Sequence, residues 1–205
     1  MVRLPSHSTT HDGAFSALLS RNVLLVTSAF FLVGTSFFSY TSLYATYLHN
    51  QLGFSVSDAG TSLGMYGVGA LGGAIGGWLG ERLGRMGVLA CLLVLAASGF
   101  ALFNLAVSAS AHAALSLVFG LMISGFLFAR LMAMLQLSAH PDRIGAVVAF
   151  GLGGFYTPGP LAGYLFGKLV VLFGWGAAAI VMVALPALIA AALMSLFDLK
   201  KMRAA

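Results

Sequence analysis

Apolar residues fall along this chain in six runs, each separated from the next by a short polar or charged stretch. The runs cover about residues 22–48, 58–79, 87–107, 113–137, 146–173 and 176–197, and a helix needs about 20 such residues to cross a bilayer. Between them lie HNQLGFSVSD, a loop containing ERLGR, the small polar SASAH, the stretch SAHPDRIG, and the pair Gly174-Trp175. The pattern predicts an all-α integral membrane fold of six transmembrane helices in one domain over residues 21–203. Ser57 reads as the N-cap of the second helix. Residues 1–20 are polar and lack the apolar core of a cleavable signal peptide, so they read as a cytoplasmic tail or linker remnant.

Composition agrees. Sixty per cent of the 205 residues are hydrophobic and 7 per cent are charged, against roughly 25 per cent charged in a soluble domain. Most of the 26 glycines lie inside apolar runs, where small residues let membrane helices approach closely. Cys91 is the single cysteine, so neither a disulfide framework nor a metal set is expected, and no cofactor is implied.

The net charge of +5 does not point to nucleic acid, because eight of the ten bases lie in loops and at the two ends. Arg3, Arg21, Arg82, Arg85, Arg143, Lys200, Lys201 and Arg203 fall in the tail, the second and fourth loops and the terminus, and the other three loops carry no Lys or Arg. The positive-inside rule then places both termini and the loop with Arg82 and Arg85 in the cytoplasm.

An offset of 86 residues lays Gly67, Gly73, Gly77, Leu79 and Leu83 on Gly153, Gly159, Gly163, Leu165 and Leu169, with Trp78 on Tyr164 and Arg82 on Lys168. The second and fifth helices are therefore related. A displacement of three helices reverses the direction of crossing, so the triplets read as two inverted three-helix repeats.

The loop from Gly76 to Gly87, GGWLGERLGRMG, holds Glu81, Arg82 and Arg85 within five positions. Its spacing, Gly77-x-x-x-Glu81-Arg82-x-Gly84-Arg85, resembles the G-x-x-x-D-R-x-G-R loop signature of the major facilitator superfamily, with Glu81 for the usual Asp and Met86 for a further base. The resemblance covers about residues 21–203 and implies one six-helix half, more in keeping with a C-terminal half, of a two-half secondary transporter. It implies a small organic solute as substrate, alternating access, and a second six-helix half as partner, either a second copy or a separate chain. In such a family this loop restrains the cytoplasmic gate, which makes Gly77, Glu81, Arg82, Gly84 and Arg85 the candidate gating residues. Gly159-Pro160-x-x-Gly163 partly resembles a motif of drug-antiporter members, hence efflux across the plasma (inner) membrane.

Candidate cavity residues are fewer. Arg130 lies roughly 10 Å inside the fourth helix at 1.5 Å per residue. It binds an anionic or polar group of the substrate, or it snorkels to the interface. Lys168 reads as snorkelling. Tyr40, Tyr44 and Tyr47 share one helix face, Tyr47 at a belt position and Tyr40 nearer the midplane as a cavity candidate. Pro158 and Pro160 bend the fifth helix, which sets Phe155 and Tyr156 beside a substrate site. Apart from Asp58 at the first position of the second span, no Asp or Glu lies in any span, and no nucleophile–base set appears, so an enzyme is not expected. The missing carboxylate keeps open a rival reading, a non-transporting membrane subunit or an inactive truncated fragment.

Overall fold

A computed structural model describes residues 20–197, without the side chains of residues 74–83. All the described regular structure is helical. Helix α1 spans Arg21–Asn50, α2 Val56–Ala70, α3 Gly73–Asn104, α4 Ala109–Gly120, α5 Phe128–Leu137, α6 Ile144–Tyr156, α7 Gly159–Ala179 and α8 Leu185–Ser195. π-helical turns join α4 to α5 at Leu121–Leu127 and α7 to α8 at Ile180–Ala184, and a 3-10 turn, Pro141–Arg143, leads into α6. Four stretches among the described residues are long and apolar enough to cross a membrane: Arg21–Asn50, Gly84–Asn104, Ala109–Leu137 and Pro141–Ser195.

The helix starts follow local chemistry. Ser20 caps α1, its hydroxyl accepting from the Val23 amide at 3.4 Å, and Ser108 caps α4 by accepting from Ala111 at 3.2 Å. The cap of α2 is Ser55, two residues before the expected Ser57. Its hydroxyl accepts from the Asp58 amide at 3.1 Å and donates to the Asp58 carboxylate at 2.7 Å. The acid three positions on closes this reciprocal cap, and Ser57 has no acid at that spacing.

Two glycines turn the chain inside otherwise continuous helices. Gly84 in α3 has φ 55° and Gly174 in α7 has φ 81°, a left-handed region in which a Cβ is strained. The loop expected over residues 76–87 is therefore a one-residue turn at Gly84. Gly174 turns the chain where the sequence places that turn.

The interruptions of α2 and α6 coincide under the offset of 86. Helix α2 stops at Ala70 and helical structure resumes at Gly73, while α6 stops at Tyr156 and resumes at Gly159. In the second case Pro158 supplies the break, since it lacks an amide to donate. In the first, Gly72 and Gly73 stand there instead.

The most extensive pairing joins α2 to α4, and glycines allow it. A Cβ at Gly120 would overlap the Tyr66 carbonyl, and one at Gly69 would lie 2.7 Å from the Leu121 amide nitrogen and overlap the Leu117 carbonyl. Helix α1 forms the other centre, packed against α6, α7 and α8. Phe30, Phe37, Phe38, Phe128 and Phe155 interlock across its inner face with centroids 4.8 to 6.0 Å apart. Pro186 cannot donate to the Met182 carbonyl, and the helix widens into the π turn just before it. The Val183 carbonyl in that turn accepts from the buried Ser36 hydroxyl at 2.8 Å.

Candidate functional site

One end of the bundle is organised by two arginines. Arg21, at the start of α1, donates to the Leu196 carbonyl at 3.2 Å. Arg85, immediately after the Gly84 turn, donates through Nη1 to the carbonyls of Ser195 at 3.1 Å and Phe197 at 3.4 Å. The final turn of a helix leaves carbonyls without intrahelical partners and carries partial negative charge. The two guanidinium groups cap it from two other helices. Of the five candidate gating residues, Gly84 supplies the turn and Arg85 the clamp. The side chains of Gly77, Glu81 and Arg82 lie outside the described residues.

Arg130 stands close to that turn. It lines a crevice of about 10 Å³ with Gly84, Gly87, Val88, Cys91, Phe126 and Leu127, space for a single water at most. Its Nε is buried and makes no hydrogen bond among the described residues. The guanidinium stem thus lies against the start of the apolar part of α3. Lys168 is exposed, with Nζ 5.7 Å from the Tyr164 ring centroid, a cation–π distance.

A larger groove, of about 700 Å³, runs between α1 and α6. Leu24, Phe31 and Leu32 form one wall and Ala149, Phe150, Gly153 and Gly154 the other, with the hydroxyl-bearing Thr27, Ser28 and Thr157 along it. The volume is within the range of small-molecule sites, and no charged side chain lines it. Thr157 sits at the Tyr156–Gly159 interruption and donates to the Gly153 carbonyl at 2.6 Å. None of Arg130, Tyr40, Phe155 and Tyr156 lines this groove. Phe155 is packed in the aromatic cluster at 4 per cent exposure, and Tyr156 is 57 per cent exposed beside Phe38.

The three tyrosines of α1 turn inward at the opposite end from Arg21. Tyr40 and Tyr44 are fully buried and stacked, with centroids 4.5 Å apart. Tyr47, at 4 per cent exposure, donates to the Phe103 carbonyl at 3.3 Å and packs on Trp175. The Tyr40 hydroxyl donates to Ser116 at 3.0 Å, and Ser116 donates to the Tyr44 oxygen at 3.1 Å. Tyr44 lies 2.8 Å from His112 Nδ1, and His112 Nε2 lies 3.2 Å from the Ala106 carbonyl. A carbonyl only accepts, so Nε2 carries the proton and Nδ1 accepts from Tyr44. His112 and Ser116 are fully buried. The sequence places His112 in the polar turn SASAH. The signal that finds it is the pair His112 and Ser116, spaced i, i+4 like Tyr40 and Tyr44.

The family model described as Major Facilitator Superfamily matches residues 3–158. No curated protein and no solved structure matches the chain.

Proposed function

The chain belongs to the Major Facilitator Superfamily, and from that premise we propose that it is one six-helix half of a secondary transporter for a small organic solute. The 55-residue stretch Pro141–Ser195 would measure about 80 Å as one straight helix, well over twice a hydrocarbon core of about 30 Å. Folding back at Gly174 turns it into two crossings. Likewise Val56 to residue 83 makes a crossing before the Gly84 turn, which brings the total to six.

The observation that carries the reading is the matched interruption of α2 and α6, at Ala70–Gly73 and Tyr156–Gly159, 86 residues apart. Paired interruptions at corresponding places in two inverted repeats mark the midplane site of secondary transporters. The α1–α6 groove abuts the second of them. Its volume and hydroxyl-bearing walls suit a small organic molecule, with efflux the direction favoured by the Gly159-Pro160 piece. Arg130, Tyr40, Phe155 and Tyr156 remain candidates for a site completed by the second half.

In the same reading both termini are cytoplasmic in a multi-pass inner-membrane protein. The clamp of Arg21 and Arg85 on the end of α8 supports it, because it gathers loop bases at one end. The Gly84 turn with Arg85 serves as the restraint of the cytoplasmic gate, and alternating access requires a second half, this chain's own copy or a separate one. The rival, a non-transporting subunit or truncated fragment, rests on the missing carboxylate. Reconstitution in liposomes, alone and with an added six-helix half, separates them. Saturable flux of organic solutes in either preparation supports transport, whereas none in both supports the rival.

A further inference from the structure

The hydrogen-bonded array Tyr40–Ser116–Tyr44–His112 is fully directed. Each of its four donors has one acceptor: Tyr40 gives to Ser116, Ser116 to Tyr44, Tyr44 to His112 Nδ1, and His112 Nε2 to the Ala106 carbonyl. Only one atom in it is a free base at neutral pH, Nδ1 of His112. From the structure we infer that this array is a proton-binding site without a carboxylate, and that filling it at His112 delivers a reoriented hydroxyl proton to Tyr40.

The argument is one of counting. A proton taken from hydronium forms a new N–H bond at Nδ1 and leaves water behind, and the imidazolium then has two donors and no acceptor. Tyr44 must turn its O–H away, and the nearest acceptor is Ser116 Oγ. Ser116, still holding one proton, must turn toward the Tyr40 oxygen. Tyr40 then needs a new acceptor outside the array. No bond other than the N–H is made, yet the event reaches the far end of a buried chain joining α1 to α4.

The surroundings leave His112 in control. From α1, Tyr44 and Tyr47 face the imidazole, and the Phe54 ring closes it edge-on at 5.4 Å. Helix α2 carries Asp58, exposed and bonded to Ser55, and Tyr66, bonded to Ser124 at 2.7 Å. His49 is exposed and bonded to the Phe54 carbonyl at 2.9 Å. The end of α3 offers the Ala106 carbonyl, and among the described residues no Asp, Glu, Lys or Arg bonds to the array. His112 is one turn from the start of α4, beside the turn containing Val107 at 81 per cent exposure.

If the transporter reading holds, this proton is the coupling ion. The site itself does not depend on that reading. The test is nuclear magnetic resonance of the full chain in lipid vesicles, with ¹⁵N-histidine and ¹³Cζ-tyrosine labels, titrated from roughly pH 8 to about pH 4. His112→Gln, whose side-chain oxygen still accepts from Tyr44 but takes up no proton, assigns the histidine signal. Tyr40→Phe assigns the far tyrosine. The expected result is a neutral Nε2–H form at high pH, protonation of Nδ1 on acidification, and a Tyr40 shift along the same curve that vanishes in His112→Gln. A neutral His112 throughout, a protonated one with Tyr40 unmoved, or the same Tyr40 shift in His112→Gln overturns the inference. Co-titration without solute flux in any reconstitution leaves the proton site standing and sinks the transporter reading instead.

Discussion

Arg85 donates to the Ser195 carbonyl across 110 positions of sequence, at 3.1 Å. This ties the residue after the Gly84 turn to the end of α8, so any motion of one moves the other. The signature position that the family pattern assigns to gating is here also the cap of a helix end. Arg85→Ala removes charge-assisted bonds to two carbonyls that have no other partner among the described residues, at about 1.5–3 kcal/mol for such a bond. The expected outcome is a lower unfolding midpoint in mild detergent, with Arg85→Lys retaining part of the difference. Equal midpoints for all three proteins would show that the clamp contributes nothing to the bundle.

The α2–α4 contact makes a sharper prediction about two glycines. Gly120→Ala sets a Cβ into the Tyr66 carbonyl, where backbone must move, whereas Gly67 on α2 has nothing within 4 Å of the same atom. Overpacking of this kind costs about 1–3 kcal/mol. Gly67→Ala gains up to about 1 kcal/mol of helix propensity. Thermal unfolding of the two variants in parallel should therefore move in opposite directions.

These contacts also show what was legible in the sequence and what was not. The apolar runs and the Gly174 turn are properties of local composition, and they reappear as helices and as a positive φ. The facing of individual side chains is different. Each residue inserted by a π turn rotates everything beyond it by roughly 100°, so a helical face counted forward from Ala113 no longer applies at Arg130, three residues past Leu127. The burial of His112 was equally hidden, because it depends on a tyrosine ladder about 70 residues away. The Ser55 cap was readable from Asp58 and was missed by two positions.

Ser36 offers a test of the π turn before Pro186. Its hydroxyl reaches the Val183 carbonyl at 2.8 Å in the interior, closer than the Leu32 carbonyl of its own helix at 3.3 Å, whereas the Thr35 hydroxyl only returns to the Phe31 carbonyl of its own helix at 2.9 Å. Interhelical bonds of this type in membrane proteins average about 0.6 kcal/mol and reach about 1.7. Ser36→Ala should fall in the upper part of that range, since the bond it removes is fully buried and joins two helices. Thr35→Ala should be close to neutral. Unfolding by denaturing detergent measures both, and a larger loss for Thr35 would contradict the assignment.

The groove between α1 and α6 carries the last prediction. Gly153 lines it, and a Cβ built there meets nothing within 4 Å. A leucine at this position therefore extends into the groove without displacing the fold, and it also raises helix propensity. If the groove is the solute path of the assembled transporter, Gly153→Leu reduces flux at least tenfold, an effect of about 1.4 kcal/mol or more on the barrier. Its unfolding midpoint should match or exceed the parent's. Gly145→Leu, at a glycine on the same helix that also has nothing within 4 Å but lies outside the groove lining, is the control and should transport normally. Equal flux in both variants would move the solute path away from α1 and α6, and toward surfaces completed by the second half.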